Sequence, residues 1–432
     1  MGRWYTDPAR NRPTVDAWAN DPARAADSLT LARPAAPRQL EARGPALLRA
    51  VLERPDDDEP RLVYADWLTE QGDARGELIQ VQCELAGMAL SRERRRALRA
   101  REKQLLQGSR AALASLEALS ESSSIERGLV SGVTLFAPKL VKHCAELRAS
   151  HPIVHFEVVA SKPEELVKLA ALAPLMGVPK LTIQARRTPR IYQSRAHLAL
   201  VATAKSPIWS RTRELGLEHV DDSDEEWGAF FSGLAAPELD TLVTRAAQFT
   251  PTALRALAAS GSLPALRRVV LDYPAMGQSA EGAGEVAAAL SALAARGVRG
   301  LGLHSWHMGD TALASCLRAF TDHGTLTDLS IVNCKFGPRT LEWLSGAKQL
   351  ERLEMGNNGR WGLSLVELAD CVRSLSKLRE VVLHERDVAR EAAAAMTDAW
   401  MALPSLERVR LRESPLTDEE VERLMRHTGY WE

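Results

Sequence analysis

Residues 326–336 read Leu326-Thr-Asp-Leu329-Ser-Ile331-Val-Asn-Cys334-Lys-Phe336, and residues 350–358 read Leu350-Glu-Arg-Leu353-Glu-Met355-Gly-Asn-Asn358. Both follow the pattern apolar-x-x-apolar-x-apolar, with Cys or Asn at the ninth place. Side chains alternate between the two faces of a strand, so the fourth and sixth places are buried together while the x places face the other way. A ninth residue that turns inward can satisfy backbone groups of the turn. The pattern recurs from Leu239, Leu266, Val298, Leu326, Leu350, Leu378 and Leu406, at intervals of 27, 32, 28, 24, 28 and 28 residues. Weaker copies at Leu215/Leu217, Leu181/Ile183, Phe156/Val158 and Val133/Leu135 bring the total to about eleven.

The stretches between copies read as helices. Thr250-Pro251 supplies an N-cap and a proline at the first helical position. Asp310 precedes the stripe Leu313, Cys316, Leu317, Phe320, and Thr417-Asp-Glu-Glu420 forms a capping box. Strand plus helix in about 28 residues resembles the ribonuclease-inhibitor type of leucine-rich repeat, over residues 127–426. The resemblance implies an α/β solenoid, a horseshoe with a parallel sheet inside and helices outside. Strands are expected near 180–183, 214–217, 241–244, 268–271, 300–303, 328–331, 352–355, 380–383 and 408–411, in one parallel sheet. Two departures, Arg186–Arg190 and the loop around Trp361, are either plain insertions or contact loops.

The front of the chain divides in two. Residues 1–44 hold five prolines and no apolar period, so they read as an extended arm. Trp4, Tyr5 and Trp18 suit docking on the body or on a partner. Residues 45–126 read as a helical cap module, followed by the repeats over 127–432. Within it, Arg61-Leu-Val-Tyr-Ala-Asp-Trp-Leu68 and Gly72-Asp-Ala-Arg-Gly-Glu-Leu-Ile79 resemble the repeat-companion module found ahead of leucine-rich repeats in some bacterial proteins. Leu62, Ala65 and Leu68 are expected to pack on Leu78, Val81 and Leu85, and Trp67 to be buried with its N–H on a carboxylate. The Arg-rich run 92–103 reads as the solvated face of a helix whose Leu98, Leu105 and Leu106 are buried.

Composition narrows the function. A net charge of −1 draws the chain globally to neither nucleic acid nor anionic lipid. Five scattered cysteines suit free thiols in a reducing compartment, which places the protein in the cytoplasm. No run of about 18 apolar residues marks a membrane span. The acidic loop Asp221–Glu226 has Trp227 where a calcium loop needs glycine, and His304 and His307 lack further zinc ligands. No phosphate loop or nucleophile motif occurs, so no enzyme activity, cofactor or metal is expected.

What remains is a protein partner on the concave face, for an adaptor, inhibitor, scaffold or regulatory subunit. The third-place row Asp328, Arg352, Glu380, Arg408 alternates in sign and should satisfy itself laterally. The candidate contact residues are Val243, Val270 and Tyr273 as an apolar centre, flanked by His304, Glu354, His384, Arg410 and Arg412, with Trp361 on its loop. The alternative is a nucleic-acid-associated protein using 92–103 and 186–190.

Overall fold

A computed structural model describes residues 38–55, 57–87, 90–108, 116, 118–186, 197–247, 249–272, 280–358, 365–384, 390–411 and 417–428. They fall into two compact units.

The first unit is helical: α1 (Arg38–Glu53), α2 (Asp58–Glu70), α3 (Arg75–Ala86) and α4 (Arg92–Gly108). Helix thus starts inside the segment 1–44 that the sequence suggests is extended. Asp57 caps α2 by accepting from the Glu59 N–H at 3.0 Å. The inner stripe of α2 is Arg61, Tyr64, Ala65 and Leu68, facing Leu78, Ile79, Val81 and Leu85 of α3. Leu62, expected inside, is exposed. Arg61 takes that place because its guanidinium satisfies the Pro55 carbonyl. Trp67 also departs from expectation. It is half-buried and stacked on Tyr64 with ring centroids 5.9 Å apart, while Asp66 accepts from Gln80 at 2.8 Å instead. The Trp67 indole lies over Gly44, where a Cβ would meet it at 2.3 Å.

The second unit is a twelve-stranded sheet in sequence order: β1 (Ser122–Glu126), β2 (Leu129–Phe136), β3 (His155–Ala160), β4 (Lys180–Ala185), β5 (Glu214–Glu218), β6 (Thr241–Arg245), β7 (Arg268–Asp272), β8 (Gly300–His304), β9 (Asp328–Val332), β10 (Arg352–Gly356), β11 (Glu380–His384) and β12 (Arg408–Leu411). All nine expected strands are present, in order and parallel. β1 was not foreseen. It forms an antiparallel hairpin with β2, so the sheet begins before residue 127.

Helices alternate with the strands: α5 (Ala137–Ser150), α6 (Pro163–Ala170), α7 (Asp224–Gly233), α8 (Pro251–Ala259), α9 (Ala280–Ala295), α10 (Asp310–Thr321), α11 (Pro338–Gly346), α12 (Leu365–Val372), α13 (Arg390–Met401) and α14 (Asp418–Thr428). Helices α7 to α14 touch in chain order, as a single layer does. Between α6 and α7 the layer thins to 3-10 turns, one of them at Leu200–Thr203. The fourth- and sixth-place side chains, such as Leu215, Leu217, Leu301, Leu303, Leu329 and Ile331, are fully buried against this layer. Among the described residues, Trp209, Trp227, Trp306, Trp343 and Trp400 are buried, and Trp227 packs on Phe230, Phe231 and Phe249 at 5.5–6.2 Å. No disulfide links the five cysteines, and all but Cys371 are buried.

Polar contacts tie each repeat to the next. The residue after β5, β6, β8, β9 and β10 is left-handed (His219, Ala246, Ser305, Asn333, Asn357), with φ between 47° and 58°. Its N–H bonds the following strand, and the chain then turns its ninth residue inward. Trp306 Nε1 donates to the Leu271 carbonyl at 3.2 Å, Cys334 Sγ to that of Leu303 at 3.2 Å, and Asn358 Nδ2 to that of Ile331 at 2.8 Å. Each acceptor is the sixth-place carbonyl of the repeat before. Asn358 Oδ1 also accepts from the Cys334 N–H at 2.8 Å. Helices are capped across repeats as well. Asp310 accepts from the Gly337, Arg339 and Thr340 N–H groups at 2.8–3.0 Å, capping α11 rather than its own helix.

Asn358→Leu leaves the buried Cys334 N–H and Ile331 carbonyl without these partners and should cost about 1–3 kcal/mol. Thermal or denaturant unfolding measures this, and an unchanged midpoint would refute the ninth-place role. Gly44→Ala forces the Trp67 ring off its seat and should destabilise the helical unit. Altered near-ultraviolet dichroism or a lowered midpoint should report it, and a wild-type result on both would show the seat is dispensable.

Candidate interaction face

The strand register places the x-position side chains of β2–β12 in three rows on the face away from the helices. The middle row runs Thr134, Glu157, Thr182, Gly216, Val243, Val270, Gly302, Ser330, Glu354, Val382, Arg410. Val243, Val270, Glu354 and Arg410 therefore share one row, as expected. His304 and His384 fall in the neighbouring row. Tyr273, Trp361, Arg412 and residues 187–190 lie outside the described residues.

The apolar centre is not an open patch. Val243 is half-buried, but Val270 is only 6% exposed. Its neighbour on β8 is Gly302, and a Cβ there would stand 2.8 Å from Val270 Cγ1, so Val270 leans into the space the glycine leaves. Val382 is equally covered, at 4%. The side chains of the sheet itself shield these valines.

Charge dominates the rest of the face. Arg352 pairs with Asp328 at 3.1 Å, Glu354 at 2.8 Å and Glu380 at 3.8 Å, and Glu380 contacts Arg408 at 3.6 Å. This is the lateral ladder the alternating signs imply. It extends two strands further than sequence alone suggests, because Arg268 on β7 reaches Asp328 on β9. The strand between carries Gly300 in the same row, and a Cβ there would meet Arg268 Cγ at 2.8 Å. Glycine is thus what lets the guanidinium cross a strand. Burial alone would push the Glu354 carboxyl up, but contacts with His384 and Arg352 prevail and hold it far below the usual carboxylate range.

A second cluster was missed by sequence reasoning. Arg245 lies 2.8 Å from Glu218 and 3.3 Å from Asp272, and Gln184 donates to Glu218 at 3.3 Å. These are seventh-place residues, so the repeat period could have aligned them. Burial pushes the Glu218 carboxyl up, Arg245 opposes this, and crowding by Glu157 and Asp272 adds to the rise. His304 is pushed down by desolvation, against the pull of Asp272 and Glu354, and bonds Ser330 Oγ at 2.7 Å.

One further group has metal-ligand chemistry among the described residues. His197, Asp222 and Glu226 bring ligand atoms within 4.8 Å of one another. Asp222, however, already accepts from the Leu198, Ala199 and Leu200 N–H groups at 2.8–3.1 Å, and Glu226 closes a capping box with Ser223 on α7. These carboxylates are committed to turn and helix ends. Burial pushes the Cys316 thiol up to about 12 and that of Cys144 up to about 11, which disfavours the thiolate form at both. The Arg-rich α4 spends its charge locally. Arg94 and Arg101 make two-pronged pairs with Glu84 and Glu77 of α3 at 2.5–2.7 Å.

Compared with known proteins, the chain matches no family model and no curated relative.

Gly300→Ala should displace Arg268 and uncouple it from Asp328. In a double-mutant cycle, Arg268→Gln and Asp328→Asn should couple by roughly 0.2–1 kcal/mol in the wild-type background and by about zero beside Gly300→Ala. Equal coupling in both backgrounds would show that the glycine does not serve the pair.

Proposed function

We propose that the protein is a non-enzymatic interaction module, an adaptor, inhibitor or regulatory subunit, that holds a protein partner on the helix-free face of its sheet. In this reading the repeats are leucine-rich repeats of ribonuclease-inhibitor type, the sheet lines the concave side, and the helical unit is their bacterial companion module. One observation carries it: eleven parallel strands (β2–β12) in unbroken register present three rows of side chains on a face that no described helix covers. At about 4.8 Å per strand that wall is roughly 50 Å across, room for a folded partner.

The contact chemistry differs from an apolar hot spot. With the valines shielded, recognition falls to Arg245, Arg352, Glu354, His384 and Arg410, whose side chains are held in place by neighbours before any partner arrives. Preorganised charges favour specificity and association rate over raw affinity. The ion pairs of α4 weigh against the nucleic-acid reading, since a guanidinium already facing a carboxylate releases few counterions from a phosphate backbone.

The test is capture of a partner from an extract of the native host. Val243→Arg combined with Arg245→Glu should abolish capture, whereas Arg339→Glu on α11 should not alter it. Both variants need wild-type circular dichroism. A partner retained equally by all three proteins would defeat the proposal.

A further inference from the structure

The helix layer is thin between β4 and β5, where the described residues form 3-10 turns at Leu200–Thr203 and Pro207–Trp209. Just ahead of the first turn stands His197, and its imidazole meets two carboxylates from the start of α7 and the loop before it. His197 Nε2 lies 2.6 Å from Glu226 Oε1 and 3.9 Å from Asp222 Oδ1. One nitrogen and two oxygens thus fall within 4.8 Å of one another, although His197 and Glu226 are 29 residues apart in the chain.

The turn and cap bonds of the two carboxylates orient them towards the imidazole. Glu226 closes its capping box through Oε2, which accepts from the Ser223 N–H and hydroxyl at 2.8 Å, and this leaves Oε1 to His197. Asp222 Oδ1 accepts from Leu198 and Ala199 at 2.8 and 3.1 Å, and Oδ2 from Leu200 at 2.8 Å. Such bonds hold a ligating carboxylate in position, as the outer shell of a metal site does. Access also suits an ion. The His197 side chain is 52% exposed and that of Glu226 27%, while Asp222 closes the inner side at 1%.

We propose that His197 Nε2, Asp222 Oδ1 and Glu226 Oε1 bind a zinc ion, with water completing its shell. Zinc holds imidazole nitrogen and carboxylate oxygen at about 2.0–2.2 Å, which spaces the ligand atoms of a tetrahedral shell about 3.3 Å apart. The contact to Glu226 opens and the one to Asp222 closes, each by less than about 1 Å, through rotation of the solvent-facing His197 and Glu226 side chains. An imidazole in the set favours zinc over calcium and magnesium, which take oxygen. Coordination uses the Nε2 lone pair, so any proton on that nitrogen leaves to solvent as the ion enters. The bound ion ties the 3-10 turns to the start of α7, a link that packed helices supply in the later repeats. This site and the partner-binding reading of the sheet face stand independently.

The test is isothermal titration of the full chain, stripped of metal with a chelator, with zinc chloride near neutral pH. Wild type should bind zinc with a Kd below about 10 µM. His197→Gln retains a hydrogen-bonding group opposite Glu226 but removes the imidazole ligand. It should bind at least about tenfold more weakly with unchanged circular dichroism, and Glu226→Gln should do the same. Cobalt(II) should give the wild type a visible absorption spectrum that His197→Gln lacks. Ten histidines and five cysteines offer donors elsewhere in the chain, so the variants locate the ion. Zinc held equally by wild type and His197→Gln, or a wild-type Kd above about 10 µM, would overturn the proposal.

Discussion

Buried side chains tie one repeat to the next: at three junctions the ninth-place residue donates to the sixth-place carbonyl of the repeat before. A buried hydrogen-bonding group left unpaired there costs about 1–3 kcal/mol. Three unlike side chains make this contact. Asn358 uses an amide, Cys334 a thiol and Trp306 an indole N–H. The left-handed residue before the ninth place brings these groups inward, and its own N–H extends the ladder to the next strand. These contacts reinforce the register that the backbone ladder sets between β7 and β10, and with it the alignment of the outer rows.

Alignment has an electrostatic consequence. With strands about 4.8 Å apart, a row of charges is stabilised only if its signs alternate or its members lean past one another. Both devices occur. Asp328, Arg352, Glu380 and Arg408 alternate, while Arg268 crosses the bare backbone of Gly300 to reach Asp328. Glycine serves the valines in the same way, since Val270 fills the space above Gly302. The face is therefore a preformed polar surface whose side chains are positioned by their neighbours.

The helical unit follows a different logic. Its α2–α3 packing depends on which stripe of α2 turns inward, and hydrophobicity alone does not decide that. Arg61 is buried and Leu62 exposed because a long side chain can pack its methylenes while its guanidinium satisfies the Pro55 carbonyl. The ion pairs from α4 to Glu77 and Glu84 bind the third and fourth helices together and reduce the free charge of a helix that looks strongly basic in isolation.

The repeat, all nine of the strands expected from it, the caps at Thr250 and Thr417 and the self-satisfied charge row were legible in the sequence, because each depends on residues at fixed short spacing. Side-chain period is a local property, and local properties survive in a one-dimensional string. The tertiary structure alone decided what depends on a neighbouring repeat. Asp310 caps the next helix rather than its own, and Trp306 stands in for asparagine at the ninth place. It also closed the apolar patch that Val270 appeared to offer, because exposure is set by what stands on the adjacent strand. Gly302, 32 residues further along the chain, determines whether Val270 meets water.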